Sequence, residues 1–145
     1  MEISNEQEFQ SWNAMTEKNR RIVLDAIDAL NNGDGEGWLA AFHEDFEFTI
    51  AGNDALSGTK KGLKAFRDLI ENVGERLSVP ITIKLTNVIA SGEWVVTESL
   101  GHSVTKAGND YNQTYCILFQ VRDGKIIKYV EYHDTALLRK VLLNE

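Results

Sequence analysis

Tyr129, Glu131 and His133 occupy alternate positions of one short apolar run that ends at Asp134. In a β-strand this spacing puts phenol, carboxylate and imidazole on one face and Lys128, Val130 and Tyr132 on the other. A carboxylate held between two aromatic rings is suited to taking up and returning a proton, and imidazole titrates nearest neutral pH.

The strand that must carry these groups is the second arm of a hairpin. Asp123-Gly124 separates two apolar runs, Tyr111 to Arg122 and Lys125 to His133, and such a pair supplies the two positive φ angles of a tight primed turn. Two further runs, Ile81 to Ile89 and Trp94 to Val104, precede them, bounded by Ser91-Gly92 and Ala107-Gly108-Asn109. Pro80 is expected to open this sheet. Upstream, Ser4 to Asn32 reads as helical, with Ser4 and Gln7 as a capping box, Thr16 as a second start, and Ile22, Val23, Ala26, Ile27 and Leu30 as an apolar stripe. Asp34 caps a short helix through Trp38, Leu39 and Phe42; Phe46, Phe48 and Ile50 alternate as a strand; a third helix is expected from Thr59 to Gly74. Asp134 caps a closing helix through Leu138 and Leu142. Helices first and strands afterwards give an α+β fold, helices covering one face of a bent, mostly antiparallel sheet.

The 145 residues, 43% of them hydrophobic, suit one domain over 1–145, with residues 1–16 as an N-terminal helical extension. A net charge of −7 argues against nucleic-acid and anionic-membrane partners. The single cysteine, Cys116, excludes an intramolecular disulfide and, with no apolar leader or span, suggests a cytoplasmic protein. His43, His102 and His133 lack metal-site spacing, so no metal and no cofactor are expected. Gly33, Gly35 and Gly37 join two helices, which does not fit a nucleotide fingerprint.

This element order, with Asn32-Gly33-Asp34, Phe42 to Asp45, Gly58, and the stretch from Tyr111-Asn112 through Asp123-Gly124-Lys125-Ile126 to Glu131-Tyr132-His133-Asp134-Thr135, resembles SnoaL-like proteins of the nuclear-transport-factor-two-like superfamily, the relatives of ketosteroid isomerase. The resemblance implies a cone-shaped α+β barrel, dimeric through the outer face of its sheet, with an apolar cavity for a small organic molecule. Several chemistries share this fold, so it does not by itself assign an activity. Laid over limonene epoxide hydrolases, Glu131 falls on their general-base carboxylate. Glu98 and Leu100 stand in place of their arginine and second aspartate, and Phe48 and Ile50 replace the water-holding tyrosine and asparagine. Against ketosteroid isomerases, Ala26 replaces the oxyanion-hole tyrosine and Ile50 the base aspartate.

The strand parity implied by the resemblance turns Glu98, Leu100 and His102 into the cone, with Gln113, Tyr115, Ile117, Tyr129, Glu131 and His133. Two carboxyl groups among apolar walls would suit an acid and base pair, Glu131 with Glu98, and His102 or His133 would complete a proton relay. Tyr115, Tyr129, Gln113, His133, Leu100, Ile117, Phe48 and Ile50 are the expected ligand contacts. Isomerase, cyclase or hydrolase-type chemistry without a cofactor follows. The alternative is a noncatalytic binding or dimerisation module whose carboxylates accept hydrogen bonds from Tyr115, Tyr129 or Gln113. Trp38, Trp94 and the phenylalanines fill core or cavity wall. Cys116, Leu118, Val130 and Tyr132 form an apolar outer face suited to a homodimer.

Overall fold

A computed structural model describes residues 2–145. The chain begins with α1, Glu6–Asn31, whose N-terminus is capped by Asn5: its side chain accepts from the Glu8 N–H at 2.9 Å while the Glu8 carboxylate accepts from Ser4 N–H and Oγ–H. The capping box therefore sits one residue later than the Ser4–Gln7 expectation. Thr16 is no cap. It lies inside the unbroken helix, donates to Trp12 O at 2.8 Å and accepts from Gly92 N–H at 2.7 Å, while Asn19 donates to Gly92 O at 2.9 Å. Gly92, at φ 62°, is obligatory here, because the Trp12 ring occupies the space a Cβ would need. The long helix thus clamps a hairpin turn more than seventy residues away.

Asp34 caps α2, Gly35–Ala40, accepting from Gly37 N–H at 2.9 Å. Next come β1, Phe42–Ile50, and β2, Gly58–Lys61, an exposed strand where the sequence suggested the first turn of a helix. That helix, α3, spans Leu63–Gly74 and buries Phe66. Four strands follow: β3, Leu77–Ser91; β4, Trp94–Thr105; β5, Thr114–Arg122; β6, Lys125–His133. Pro80 falls within β3 and does not open it. It is tolerated because β3 is an edge strand whose register slips between Val79 and Thr82. Asp123 and Gly124 both adopt positive φ, as a primed turn requires. Asp134 caps α4, Thr135–Leu137, which widens into a π-helical turn over Leu138–Leu142.

The six strands form one mixed sheet in the order β2-β1-β6-β5-β4-β3. Among the described residues only β1 and β6 run parallel; every other pair is antiparallel. The sheet does not close, and α1, α2 and α3 fill the hollow of its curved inner face, the cone-shaped α+β architecture expected. Val23, Ala26 and Ile27 of α1 meet Trp38, Phe42, Phe46, Phe66 and Phe119 in the core. Phe66 lies edge-on to Phe46 at 5.0 Å, and Phe48 stacks on Phe46 at 5.6 Å. No helix of the described residues is long and apolar enough to cross a membrane.

Candidate functional site

Strand register arranges the inner face of the sheet in rows. Phe48, Tyr129, Phe119 and Val95 make a buried apolar row across β1, β6, β5 and β4. The next row is Ile50, Glu131, Ile117 and Thr97, and beyond β1 the third is His133, Tyr115 and Ser99. Glu131 is therefore flanked across both neighbouring strands by isoleucines. Between these rows and the helices lies a cavity of about 490 Å³. Its wall is mostly apolar, from Leu30, Leu69 and Val73 to Leu138 and Leu142, with Thr97, Ser99, Tyr111, Tyr115, Glu131 and His133 among its polar lining. This size suits a small organic ligand.

The acidic group is held from both sides. Tyr129 donates its hydroxyl proton to Glu131 Oε1 at 2.6 Å, and His133 Nδ1 lies 2.8 Å from Glu131 Oε2. Where the carboxylate is ionised it only accepts, and His133 then donates through its Nδ1–H. His133 Nε2 is buried without a partner among the described residues. The imidazole side chain is 1% exposed whereas Glu131 is 17% exposed, so the carboxylate is the member of the trio that a cavity ligand reaches. Burial, the adjacent Glu131 charge and the bond to it hold the Tyr129 phenol well above its ordinary pKa. Burial, with the Glu131 charge, does the same for Tyr115, and burial pushes Tyr111 up to about 12. All three phenols thus remain neutral donors at physiological pH.

Of the residues singled out from sequence, Tyr115, Tyr129, Ile117, Ile50, His133 and Glu131 line the cavity. Glu98, Leu100 and His102 do not. Pairing of Glu98 with Cys116, and of Thr97 with Ile117, turns all three onto the outer face. There Leu100 is 49% exposed, Glu98 accepts from Asn87 at 3.1 Å, and His102 Nδ1 lies 2.8 Å from Asn112 Oδ1. A Glu131–Glu98 acid and base pair is therefore not formed. Trp94 shares that exposed outer face and is not core. Gln113 is also no ligand contact: its amide donates to Tyr111 Oη and Asp134 O, and its carbonyl accepts from Thr114 and Asp134 N–H, tying the lead into β5 to the end of β6. Phe48 packs in the aromatic core behind the cavity. The polar lining residues missed from sequence are Ser78, Thr97, Ser99 and Tyr111. Of these, Thr97 and Ser99 were one position away from the expected parity. No group of three or more potential His, Cys, Asp or Glu metal ligands occurs among the described residues.

Comparison with known proteins places this geometry. The profile of the SnoaL-like domain matches residues 23–129. Among solved structures, an NTF2-like protein from Burkholderia xenovorans LB400 is 28% identical with a TM-score of 0.71, covering 88% of this chain and 97% of its own. An LEH-like epoxide hydrolase from M. tuberculosis is 25% identical with a TM-score of 0.70, covering 89% and 92%. A putative SnoaL-like polyketide cyclase from Jannaschia sp. CCS1 shares the fold at 16% identity, with a TM-score of 0.74 and coverage of 88% and 93%. No curated protein matches the chain in sequence. With the profile spanning most of the domain and the architecture repeated in these structures, the chain belongs to the SnoaL-like domain family.

Proposed function

We propose that the cavity binds a small, largely apolar organic molecule and that Glu131 acts on it as a cofactor-independent general base, in isomerase, cyclase or hydrolase-type proton transfer. The observation that carries this reading is the carboxylate itself, oriented by Tyr129 and His133 and reachable from an otherwise apolar cavity. Its oxygens retain lone pairs beyond the two bonds they accept, so Glu131 takes a proton from a bound carbon acid or from water and returns it in a later step. His133 and Tyr129 are positioning residues that fix the carboxylate before the ligand arrives. The similarity to an epoxide hydrolase supports this class of chemistry. With Ile50 and Ile117 at its sides, however, Glu131 lacks the charged partners of an Asp-Arg-Asp relay.

The second reading, a noncatalytic binding module, draws on the same network, because both Glu131 oxygens already have donors. Glu131→Gln separates the two. Under the first reading turnover of a substrate is abolished while the fold persists; under the second, only stability or ligand affinity changes.

The protein is further proposed to act in the cytoplasm as a homodimer. The outer sheet face presents Leu100, Tyr132 at 52% exposure, and partly buried Cys116, Leu118 and Val130, an apolar surface that a second copy would cover. A monomeric mass by light scattering at micromolar concentration would refute the dimer.

A further inference from the structure

We propose that the β4 wall of the cavity is a recognition site for a ligand oxygen, at which Thr97 and Ser99, together with Tyr115, hold a neutral carbonyl or hydroxyl group on an otherwise apolar molecule. The inference rests on the reading of the cavity as a ligand site and adds where the ligand's polar end lies.

Thr97 and Ser99 are buried, line the cavity, and carry hydroxyls with no hydrogen-bond partner among the described residues. Hydroxyls inside a protein are ordinarily satisfied, and two orphans on one strand face call for a partner from outside the chain. They sit at alternate positions of β4, about 7 Å apart along the strand. Rotation about χ1 moves a serine hydroxyl between staggered positions, and in threonine exchanges hydroxyl and methyl within nearly the same volume. Either hydroxyl can therefore swing to a ligand without repacking the wall. Opposite Ser99 stands Tyr115, whose ring lies over Gly101 in the space a side chain there would fill. Burial keeps its phenol protonated and hence a donor.

The charge of the ligand follows from what the wall lacks. Neither lysine nor arginine is among the lining residues, and Glu131 contributes a negative charge. Beside the Glu131 charge, and with no lysine or arginine on the wall, a carboxylate ligand is disfavoured, so the oxygen recognised is a neutral one. From β6 to β4 is two strand spacings, about 10 Å along the sheet. The ligand is thus an oxygenated molecule whose recognised oxygen lies at the end remote from Glu131.

The test uses matched fluorescent probes, 2-naphthol and 2-methylnaphthalene, with 2-naphthoate as the anionic control. The protein is expected to bind 2-naphthol about tenfold more tightly than 2-methylnaphthalene, with 2-naphthoate weakest. The double variant Thr97→Val with Ser99→Ala should lose the preference and keep its affinity for 2-methylnaphthalene. Its melting temperature should equal or exceed that of the parent, since orphan hydroxyls are being replaced by apolar groups of similar shape. Equal binding of naphthol and methylnaphthalene, a preference that survives in the variant, tighter binding of 2-naphthoate, or a fall in melting temperature would each overturn the proposal. The first of these leaves the cavity reading standing, whereas failure of the protein to bind either neutral probe overturns both.

Discussion

The Tyr129 hydroxyl meets Glu131 Oε1 at 2.6 Å, and these two residues lie on the same face of one strand, so the carboxylate is positioned by its own β6 neighbours, with His133 closing the other side at 2.8 Å. The bond joins a buried phenol to a carboxylate, a charge-assisted contact in a low-dielectric setting. Tyr129→Phe deletes one oxygen with no change of shape in the core. The expected cost is about 1.5–3 kcal/mol of stability, read by urea unfolding, with a larger proportional loss in turnover than in binding once a substrate is in hand. Unchanged stability would mean that this contact contributes nothing net.

A pH dependence follows from the neutral phenols. Tyr111, Tyr115 and Tyr129 all have folded-state pKa values above their ordinary 10.0, Tyr111 at about 12. The folded protein therefore holds protons that the unfolded chain releases. The stability they contribute is fully present below pH 10 and is lost as pH rises, through about 12 for Tyr111. For Tyr111 this amounts to on the order of 2–3 kcal/mol. Denaturant midpoints from pH 8 to 12 should fall steeply above 10, less steeply in Tyr129→Phe.

Glu98 and His102 serve as internal controls for the site. Both lie on the outer face, bonded to Asn87 and Asn112. Glu98→Gln and His102→Asn should each leave turnover within about twofold of the parent and shift stability by less than about 1 kcal/mol, whereas Glu131→Gln abolishes turnover. A steady-state assay of the three variants side by side, in which only Glu131→Gln is expected to lose turnover, decides this. Loss of activity in Glu98→Gln would point to a route between the two faces of β4.

The clamp on Gly92 makes a purely structural prediction. Thr16→Val removes the acceptor of the Gly92 N–H, and Asn19→Ala removes the donor to its carbonyl. Each should cost about 1–3 kcal/mol, and because the two share one turn their effects should be non-additive. Urea unfolding of both single variants and the double variant gives the coupling directly.

Much of this was legible in the chain. Asp123-Gly124 announced the hairpin, Asp34 and Asp134 announced their helices, and the parity of β6 placed Glu131 and His133 together. The parity of β4 was not legible, for a physical reason. Its cavity face carries Thr97, Ser99 and Ser103, while its outer face carries Trp94, Val96 and Leu100. A strand that lines a cavity on one side and presents an apolar surface on the other inverts the rule that large apolar residues point inward. Strand β2 escaped notice because Gly58–Lys61 is exposed throughout and has no apolar alternation, its place being set by pairing with β1. Gln113 resembled a ligand contact because its parity matches that of Tyr115; only the fold shows its amide spent on Tyr111, Thr114 and Asp134.

The central claim is that Glu131 touches what the cavity holds. Crystals of the protein purified without denaturation, carrying whatever molecule the cavity retains, would measure it directly. The account predicts a molecule in the cavity with an atom within about 3.2 Å of the Glu131 carboxylate, a hydrogen-bonding distance. A cavity filled by repacked side chains, or a molecule bound there with the carboxylate turned away from it, would contradict the account.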